Sequence, residues 1–225
     1  MAIINVLSFP RKNCQKARRK GRIMANRNRC YQYKDSMKMT DSQKNALLKV
    51  ARETIAAAIA RKRVAKPATD DDDLKKEQGC FVTIKNGQHL RGCIGQFIAD
   101  KPLIEMVSEM AVLASTRDSR FFDSPITEDE LDELDIEISV LSELKKTDDP
   151  LSLRLGIDGI YIVKGYASGC FLPQVATETG WSKEEFLSNC CEHKAGIRAN
   201  AWKKKDVEVY LFTCDVFGKP MRDIK

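Results

Sequence analysis

Hydrophobic and polar positions repeat with helical and with strand periods along this chain, and together they predict a mixed fold. Apolar residues at helical spacing follow a capping box at Thr40 and predict a helix to about Arg63. The strict alternation from Leu134 to Leu141 predicts a half-buried strand. Further strands are predicted at 80–85, 158–164, 167–172 and 207–214. Further helices are predicted after Asp100, which is expected to cap the first of them, and over 182–194, where Ser182 begins a second capping box. The order of elements indicates an α+β fold with mostly antiparallel sheets and packed helices.

The most informative segment is the hexapeptide 90–95, Leu-Arg-Gly-Cys-Ile-Gly. The Asn-Gly pair at 86–87 predicts a hairpin whose return strand contains it. In a regular strand, His89, Arg91 and Cys93 share one face. A two-residue turn at that pair places Cys80 opposite Cys93, whereas a register slip or a bulge at Gly92 removes Cys80 from the patch.

Cys93 is the first candidate for chemistry, because it lies between Gly92 and Gly95 and close to an arginine. A nearby guanidinium such as that of Arg91 favours thiolate over thiol, and His89 is a candidate general base. The alternative is that Cys93 is a small buried hydrophobic residue and the glycines serve only the turn.

Charge divides the chain into two parts. Residues 1–38 hold eleven Lys and Arg and one acid, a net charge of +10, so the rest carries −4 of the total of +6. The basic stretch therefore predicts an N-terminal extension separate from a domain over 39–225. Three interpretations stay open: a disordered nucleic-acid-binding arm, a transit peptide, or sequence included by a wrongly chosen start codon.

Composition and motifs exclude several other classes. The apolar run at 54–60 is too short to span a bilayer. Eight scattered cysteines without an export signal predict reduced thiols in a cytoplasm. Cys190 and His193 have the spacing of half a zinc site, which is too few ligands for a metal on its own. No phosphate-binding loop or dinucleotide fingerprint occurs, so no cofactor is predicted.

Several stretches together resemble the AMMECR family, named for the Alport syndrome, midface hypoplasia and elliptocytosis chromosomal region. They are the hexapeptide 90–95, Pro102-Leu103, Asp118–Phe121 with Pro125, Ile136–Ser142, Leu172–Val175, Gly180–Leu187 and Lys194–Gly196. The match covers about residues 40–217. The resemblance implies an intracellular protein with a larger and a smaller subdomain, the hexapeptide near the cleft between them, and Memo-type and radical S-adenosylmethionine proteins as partners.

Charged residues near the hexapeptide are further site candidates, each with a structural alternative. Arg91 could bind an anion, activate the thiolate or pair with a carboxylate. Asp118 and Arg120 could point into a site or pair with each other to brace a turn. Glu137 could be a base, an anchor for Arg91 or a solvated strand carboxylate.

Three functions follow from these candidates. The first is a binding domain whose cleft includes Arg91, Gly92, Gly95, Asp118 and Arg120. The second is an enzyme or enzyme accessory that uses Cys93 as nucleophile or redox thiol. The third is nucleic-acid binding through residues 1–38.

Overall fold

A computed structural model describes residues 5–6 and 38–225 of the chain. Its α-helices are α1 (Asp41–Ile59), α2 (Leu103–Thr116), α3 (Pro173–Thr179) and α4 (Lys183–His193). Its strands are β1 (Asn5–Val6), β2 (Cys80–Asn86), β3 (His89–Gln96), β4 (Leu134–Leu141), β5 (Lys145–Thr147), β6 (Gly159–Lys164), β7 (Ala167–Phe171), β8 (Glu208–Phe212) and β9 (Cys214–Pro220). Short 3-10 turns lie at Ser119–Phe121, Glu128–Glu133, Pro150–Ser152, Ala199–Lys203 and Met221–Asp223.

Two sheets organise the described residues. The first has the order β1-β3-β2-β4-β9 and the second has the order β5-β8-β6-β7. All of these strand pairs are antiparallel except β1 with β3, which is parallel. The predicted α+β fold with mostly antiparallel strands is therefore confirmed.

Helices α1 and α2 begin for different reasons. Thr40 caps α1 through the predicted capping box, in which its side chain accepts from the Gln43 N–H and Gln43 reaches back to the Thr40 backbone. The expected cap of α2 at Asp100 is wrong, since the N-cap is Pro102 and it makes no side-chain cap hydrogen bond. Proline suits the start of a helix because its fixed φ is already close to helical and it has no N–H to leave unpaired.

Each sheet has its own apolar core, and a third cluster joins them. The first core packs α1 and α2 against one face of the five-stranded sheet. The second core packs α3 and α4 against the four-stranded sheet. Between the sheets, Phe97 stacks on Tyr161 at 5.2 Å between ring centroids and contacts Phe81 and Phe212 edge-on. The two sheets meet at this cluster, and we call the region around Phe81, Phe97, Tyr161 and Phe212 the junction.

Among the described strands, hydrophobic alternation did not predict the two-residue β1, and it also missed β5 and β9. Strand β5 is short, and its two lysines are exposed. Strand β9 has no fully buried residue and pairs with β4 along the edge of the first sheet. Alternation is a weak signal for such strands, because neither face is deeply buried. The predicted strand at 207–214 ends instead at Phe212, where β8 gives way to β9.

Candidate functional site

The hairpin of β2 and β3 carries a bulge that sets the position of every residue in the hexapeptide. Lys85 pairs with Leu90, whereas Ile84 pairs with Gly92, so Arg91 has no partner in β2. Beyond the bulge, Thr83 lies opposite Cys93 and Cys80 lies opposite Gln96. The expected pairing of Cys80 with Cys93 is therefore wrong, because the two-residue turn lies at residues 87–88 rather than at 86–87 and the bulge shifts the register by one more residue.

Cys93 is buried, with 3% of its surface exposed. Its Sγ lies 3.1 Å from Thr83 Oγ1, which is within hydrogen-bond distance for sulfur. Burial raises the pKa of the Cys93 thiol above its ordinary value, although the hydrogen bond with Thr83 and the Arg120 guanidinium act in the opposite direction. The thiol is therefore neutral at physiological pH in this state.

Asp118 and Arg120 clamp the backbone of Cys93 from the side of β3 that faces away from β2. The Cys93 N–H donates to Asp118 Oδ2 at 2.9 Å, and Arg120 Nη2 donates to the Cys93 carbonyl at 3.2 Å. Arg120 also pairs with Asp118 through Nη2 at 2.6 Å and Nε at 2.9 Å. The structure shows the second alternative for this pair, since the two residues pair with each other and brace the turn before Phe121. That they point into a functional site stays a prediction.

Competing effects act on the Asp118 carboxyl, whose side chain is 1% exposed. Burial works to raise its pKa, but the hydrogen bonds from Arg120 and from the Cys93 N–H together hold the pKa below its ordinary value. Asp118 is therefore an ionised carboxylate at neutral pH, and Arg120 is its counter-ion.

Arg91 does not reach the Cys93 thiol, as the bulge turns it toward the loop that follows α2. Its guanidinium donates to the Ser124 carbonyl and hydroxyl, both at 3.1 Å, and to the Pro125 carbonyl at 3.3 Å. It also pairs with Glu130 at 2.7 Å, with 14% of the arginine side chain exposed. Of the roles predicted for Arg91, the structure shows the ion pair with a carboxylate, which is the carboxylate of Glu130.

The two glycines of the hexapeptide are needed for close packing. A Cβ at Gly92 would overlap the carbonyl oxygen of Ala114 in α2. A Cβ at Gly95 would overlap the Phe81 ring. Gly92 therefore brings the helix onto one face of β3, and Gly95 makes room for the aromatic cluster on the other face.

A row of polar side chains crosses three strands on the face that carries Cys93. Thr83 lies opposite Cys93 on one side and opposite Glu137 on the other. Glu137 pairs with Lys85 at 3.3 Å rather than with Arg91, so its expected role as an anchor for Arg91 is wrong. His89 lies at the far end of the hairpin, exposed and opposite Asn86, so it does not share this row with Cys93.

Lys194 is a junction residue that the sequence search for reactive groups missed. It is the C-cap of α4, and its ammonium lies 5.8 Å from the centroid of the Phe171 ring. Burial lowers the pKa of this lysine, with the Arg120 charge acting in the same direction. The stretch Lys194–Gly196, quoted above for the family resemblance, was the available signal.

The structure separates Cys190 from His193. Cys190 is completely buried in the second core, whereas His193 is exposed on the last turn of α4. Within residues 5–6 and 38–225, no group of three or more His, Cys, Asp or Glu side chains is arranged to hold a metal ion.

A cavity of about 350 Å³ lies behind the hexapeptide strand, at the end of α2. Arg91, Asp118 and the loop up to Ile126 line it, with Phe121 and Phe122 on its wall. Arg91 therefore belongs to this cavity, and Cys93 to the opposite face of the strand.

The described part of the chain contains no helix long and apolar enough to cross a membrane.

The fold and site define a two-sheet α+β domain in which a glycine-flanked cysteine strand lies beside the meeting point of the sheets. The chain belongs to the AMMECR1 family, whose model matches residues 48–217. It is similar to a protein of Methanothermobacter thermautotrophicus, 39% identical over 178 residues that cover 76% of this chain and 91% of the relative.

Two further comparisons agree. Protein TK0174 of Thermococcus kodakarensis is 37% identical over 182 residues, which cover 76% of this chain and 87% of the relative. The crystal structure of the uncharacterized protein PH0010 from Pyrococcus horikoshii has a TM-score of 0.74 and 33% identity, and it covers 83% of this chain and 97% of that one. The likeness confirms the fold.

Proposed function

We propose that this domain binds a small ligand at the junction, on the face of the first sheet that carries Cys93, Thr83 and Glu137. The observation that carries the proposal is the state of Cys93. Its thiol is buried and hydrogen-bonded to Thr83. Its backbone N–H donates to Asp118, and its backbone carbonyl accepts from Arg120. Such a residue supports a rigid binding surface better than it serves as an attacking nucleophile, which must be an accessible thiolate.

The surroundings support binding in a second way. Polar and charged groups from two parts of the fold lie here: Glu137 and Arg120 come from the part that includes the first sheet, and Lys194 comes from the part that includes the second. Ligand sites combine an apolar surface with a few well-placed polar groups, and they occur preferentially where two structural units meet. The aromatic cluster around Phe97 includes Phe81 on the same face of the first sheet and is itself buried.

The experiment is an amide NMR titration of the full chain with adenosine, glucose, glutamine and citrate as probes. At least one probe is expected to shift the amides of Thr83, Cys93 and Lys194 saturably. The matched variants are Glu137→Ala, expected to weaken that response, and Asp135→Ala, two residues away on the same strand, expected to leave it unchanged.

Probes that shift only amides outside the junction, or none at all, contradict the proposal. A Cys93 that is modified covalently by a probe contradicts it too and favours the enzyme hypothesis. Nucleic-acid binding by residues 1–38 stays a prediction, because nearly all of that segment lies outside the described residues. The Memo-type and radical S-adenosylmethionine partners likewise stay predictions.

A further inference from the structure

We propose that the cavity at the end of α2 binds a small aromatic carboxylate, with Arg117 on the carboxylate and Phe122 against the ring. This site is separate from the junction. Helix α2 packs on the face of β3 that Gly92 presents, and neighbouring residues of a strand face opposite sides, so the Cys93 side chain lies on the other face. The inference therefore goes beyond the proposed function.

The first observation is the size and accessibility of the cavity. Its volume of about 350 Å³ is at the lower end of the range of roughly 300–1,000 Å³ that ligand pockets have, so it suits a small molecule. Ala114, Ser115 and Ile126 are buried residues of its lining, whereas Arg117 and Phe122 are exposed residues of the same lining. A ligand can therefore reach both exposed side chains while its body fills the cavity.

The second observation is the charge of the lining, which consists of Arg91, Arg117 and Asp118. Arg91 is paired with Glu130, and Asp118 is paired with Arg120, so these four charges balance. Arg117 makes no ion pair within residues 38–225. The cavity therefore has one cation whose charge no side chain of its lining compensates.

Two weaker negative charges lie on the elements that form the cavity. Asp123 is exposed on the loop after α2 and is not part of the lining. The last carbonyls of α2 carry the equivalent of roughly half a negative charge near its C-terminus, where Arg117 is the C-cap. Both offset part of the Arg117 charge. What remains suits a monoanion such as a carboxylate better than a doubly charged phosphate.

The third observation concerns the hydrogen-bond donors. The hydroxyls of Ser115 and Thr116 both donate to carbonyls of the preceding turn of α2. The Arg91 guanidinium is already engaged by the loop and by Glu130. Within the described part of the chain, the Arg117 side chain donates to no other residue. Its guanidinium is therefore available, and guanidinium groups bind carboxylates through two parallel charged hydrogen bonds.

The fourth observation is the unpartnered ring of Phe122. Its side chain is 61% exposed, and among the described residues it contacts no other aromatic ring. The neighbouring Phe121 differs, since the Arg120 guanidinium lies 5.4 Å from the centroid of its ring. Aromatic rings attract one another in stacked and edge-on arrangements beyond the area that they bury. The ring of Phe122 therefore favours an aromatic ligand over an aliphatic one.

The experiment is an amide NMR titration of the full ¹⁵N-labelled chain with three probes, benzoate, benzamide and acetate. Benzoate is expected to shift the amides of Arg117, Phe122 and Ile126 saturably. Benzamide has the same shape without the charge, and acetate has the charge without the ring. Each of these two is expected to bind at least about tenfold more weakly than benzoate, because each lacks one of the two contacts.

The variants test the two side chains separately. Arg117→Gln keeps a long polar side chain without the charge, and Phe122→Leu keeps an apolar side chain without the ring. Both are expected to weaken benzoate binding, Arg117→Gln by at least about tenfold. Each replaces an exposed residue, so the amide spectrum should show the fold retained. Arg198→Gln is the matched control, as Arg198 is exposed and lies outside the cavity, and it should bind benzoate like the wild type.

Three results would overturn the aromatic carboxylate site. The first is equal binding of benzoate and either of the other probes, and the second is full benzoate binding in Arg117→Gln. The third is inorganic phosphate displacing benzoate at lower concentrations than benzoate itself needs, which would assign the cavity to phosphate groups. Benzoate shifts confined to Thr83 and Cys93 overturn this site and support the proposed function instead. The two proposals can therefore fail independently.

Discussion

Gly92 and Ala114 are in direct backbone contact, since a side chain on Gly92 would overlap the Ala114 carbonyl oxygen. This contact lies between the hexapeptide strand and the last turn of α2. It explains why a glycine precedes the cysteine, and it couples the strand to the loop that carries Asp118.

Replacing Gly92 with alanine should destabilise the protein through this contact. Overpacked sites of this kind lose about 1–3 kcal/mol, and a rigid backbone neighbour places Gly92→Ala at the upper end, about 3 kcal/mol. Urea unfolding measures the change. The control is Gly165→Ala, where φ is +58° and no atom is close, so only the left-handed backbone costs about 1 kcal/mol. Equal losses in the two variants would contradict the steric argument.

Asp118→Asn should weaken the contacts that Asp118 and Arg120 make with the Cys93 backbone, without removing all of them. Asparagine still accepts from the Cys93 N–H, but Arg120 loses its counter-ion, and breaking such a buried pair costs about 3 kcal/mol. The control is Asp206→Asn, which removes an exposed pair with Lys164 and should cost less than about 1 kcal/mol. Denaturant midpoints of the two variants compare these values, and a loss at Asp118 no larger than at Asp206 would argue against the clamp.

The Asp118 clamp should also be pH-dependent. Because the pKa of Asp118 is lower in the folded protein than its ordinary value of 3.8, the unfolded chain takes up this proton first as the pH falls. The stabilisation is therefore fully present above about pH 5 and is lost as the pH falls through the folded pKa. Unfolding measured from about pH 6 to pH 2 should show wild type and Asp118→Asn converging in acid. A constant difference between them would rule this mechanism out.

Cys93 should alkylate slowly in the native protein. Its raised pKa and its burial predict iodoacetamide modification on the order of 100-fold slower than in the unfolded chain, with an apparent pKa above 9.0. Thr83→Val should raise the apparent pKa of Cys93 further, because it removes a hydrogen bond that lowers it. Peptide mass spectrometry across pH 7–10 measures the profile. Fast modification at neutral pH would favour the enzyme hypothesis.

Arg91→Ala should release the loop after α2 while leaving the thiol unaffected. The variant loses the donors to Ser124 and Pro125 and the pair with Glu130, for a cost of about 2 kcal/mol. Hydrogen exchange over residues 122–130 should accelerate, and the pH profile of Cys93 alkylation should stay the same. Arg117→Ala is the control, as Arg117 lines the same cavity and is exposed. A change in the pH dependence of Cys93 alkylation in Arg91→Ala would instead support the expectation that Arg91 activates the thiol.

Local signals in the sequence predicted the elements well where one face is buried. Alternation placed β4 at the bounds that the structure has, and the capping boxes at Thr40 and Ser182 both form. These features depend on residues two or three apart, so the chain encodes them without reference to the rest of the fold.

The register of the hairpin could not be predicted in the same way. The bulge at Arg91 follows from contacts with Glu130 and the loop after α2, about thirty to forty residues away along the chain. The predicted patch of Cys80 with Cys93 failed because the two-residue turn lies at 87–88 instead of 86–87 and the bulge adds one more residue to the shift. The prediction that the hexapeptide lies on the return strand was correct.

The sequence by itself determined the α+β class, most of the helices and strands and the special status of the hexapeptide, because periodicity, caps and turn residues act locally. Only the tertiary structure decided which charges surround Cys93. Arg120, and not Arg91, lies beside Cys93, and Lys194 comes from the part of the chain that packs on the second sheet. Electrostatic and packing contacts depend on distance in space, and one-dimensional spacing does not determine that distance once a bulge and a second sheet intervene.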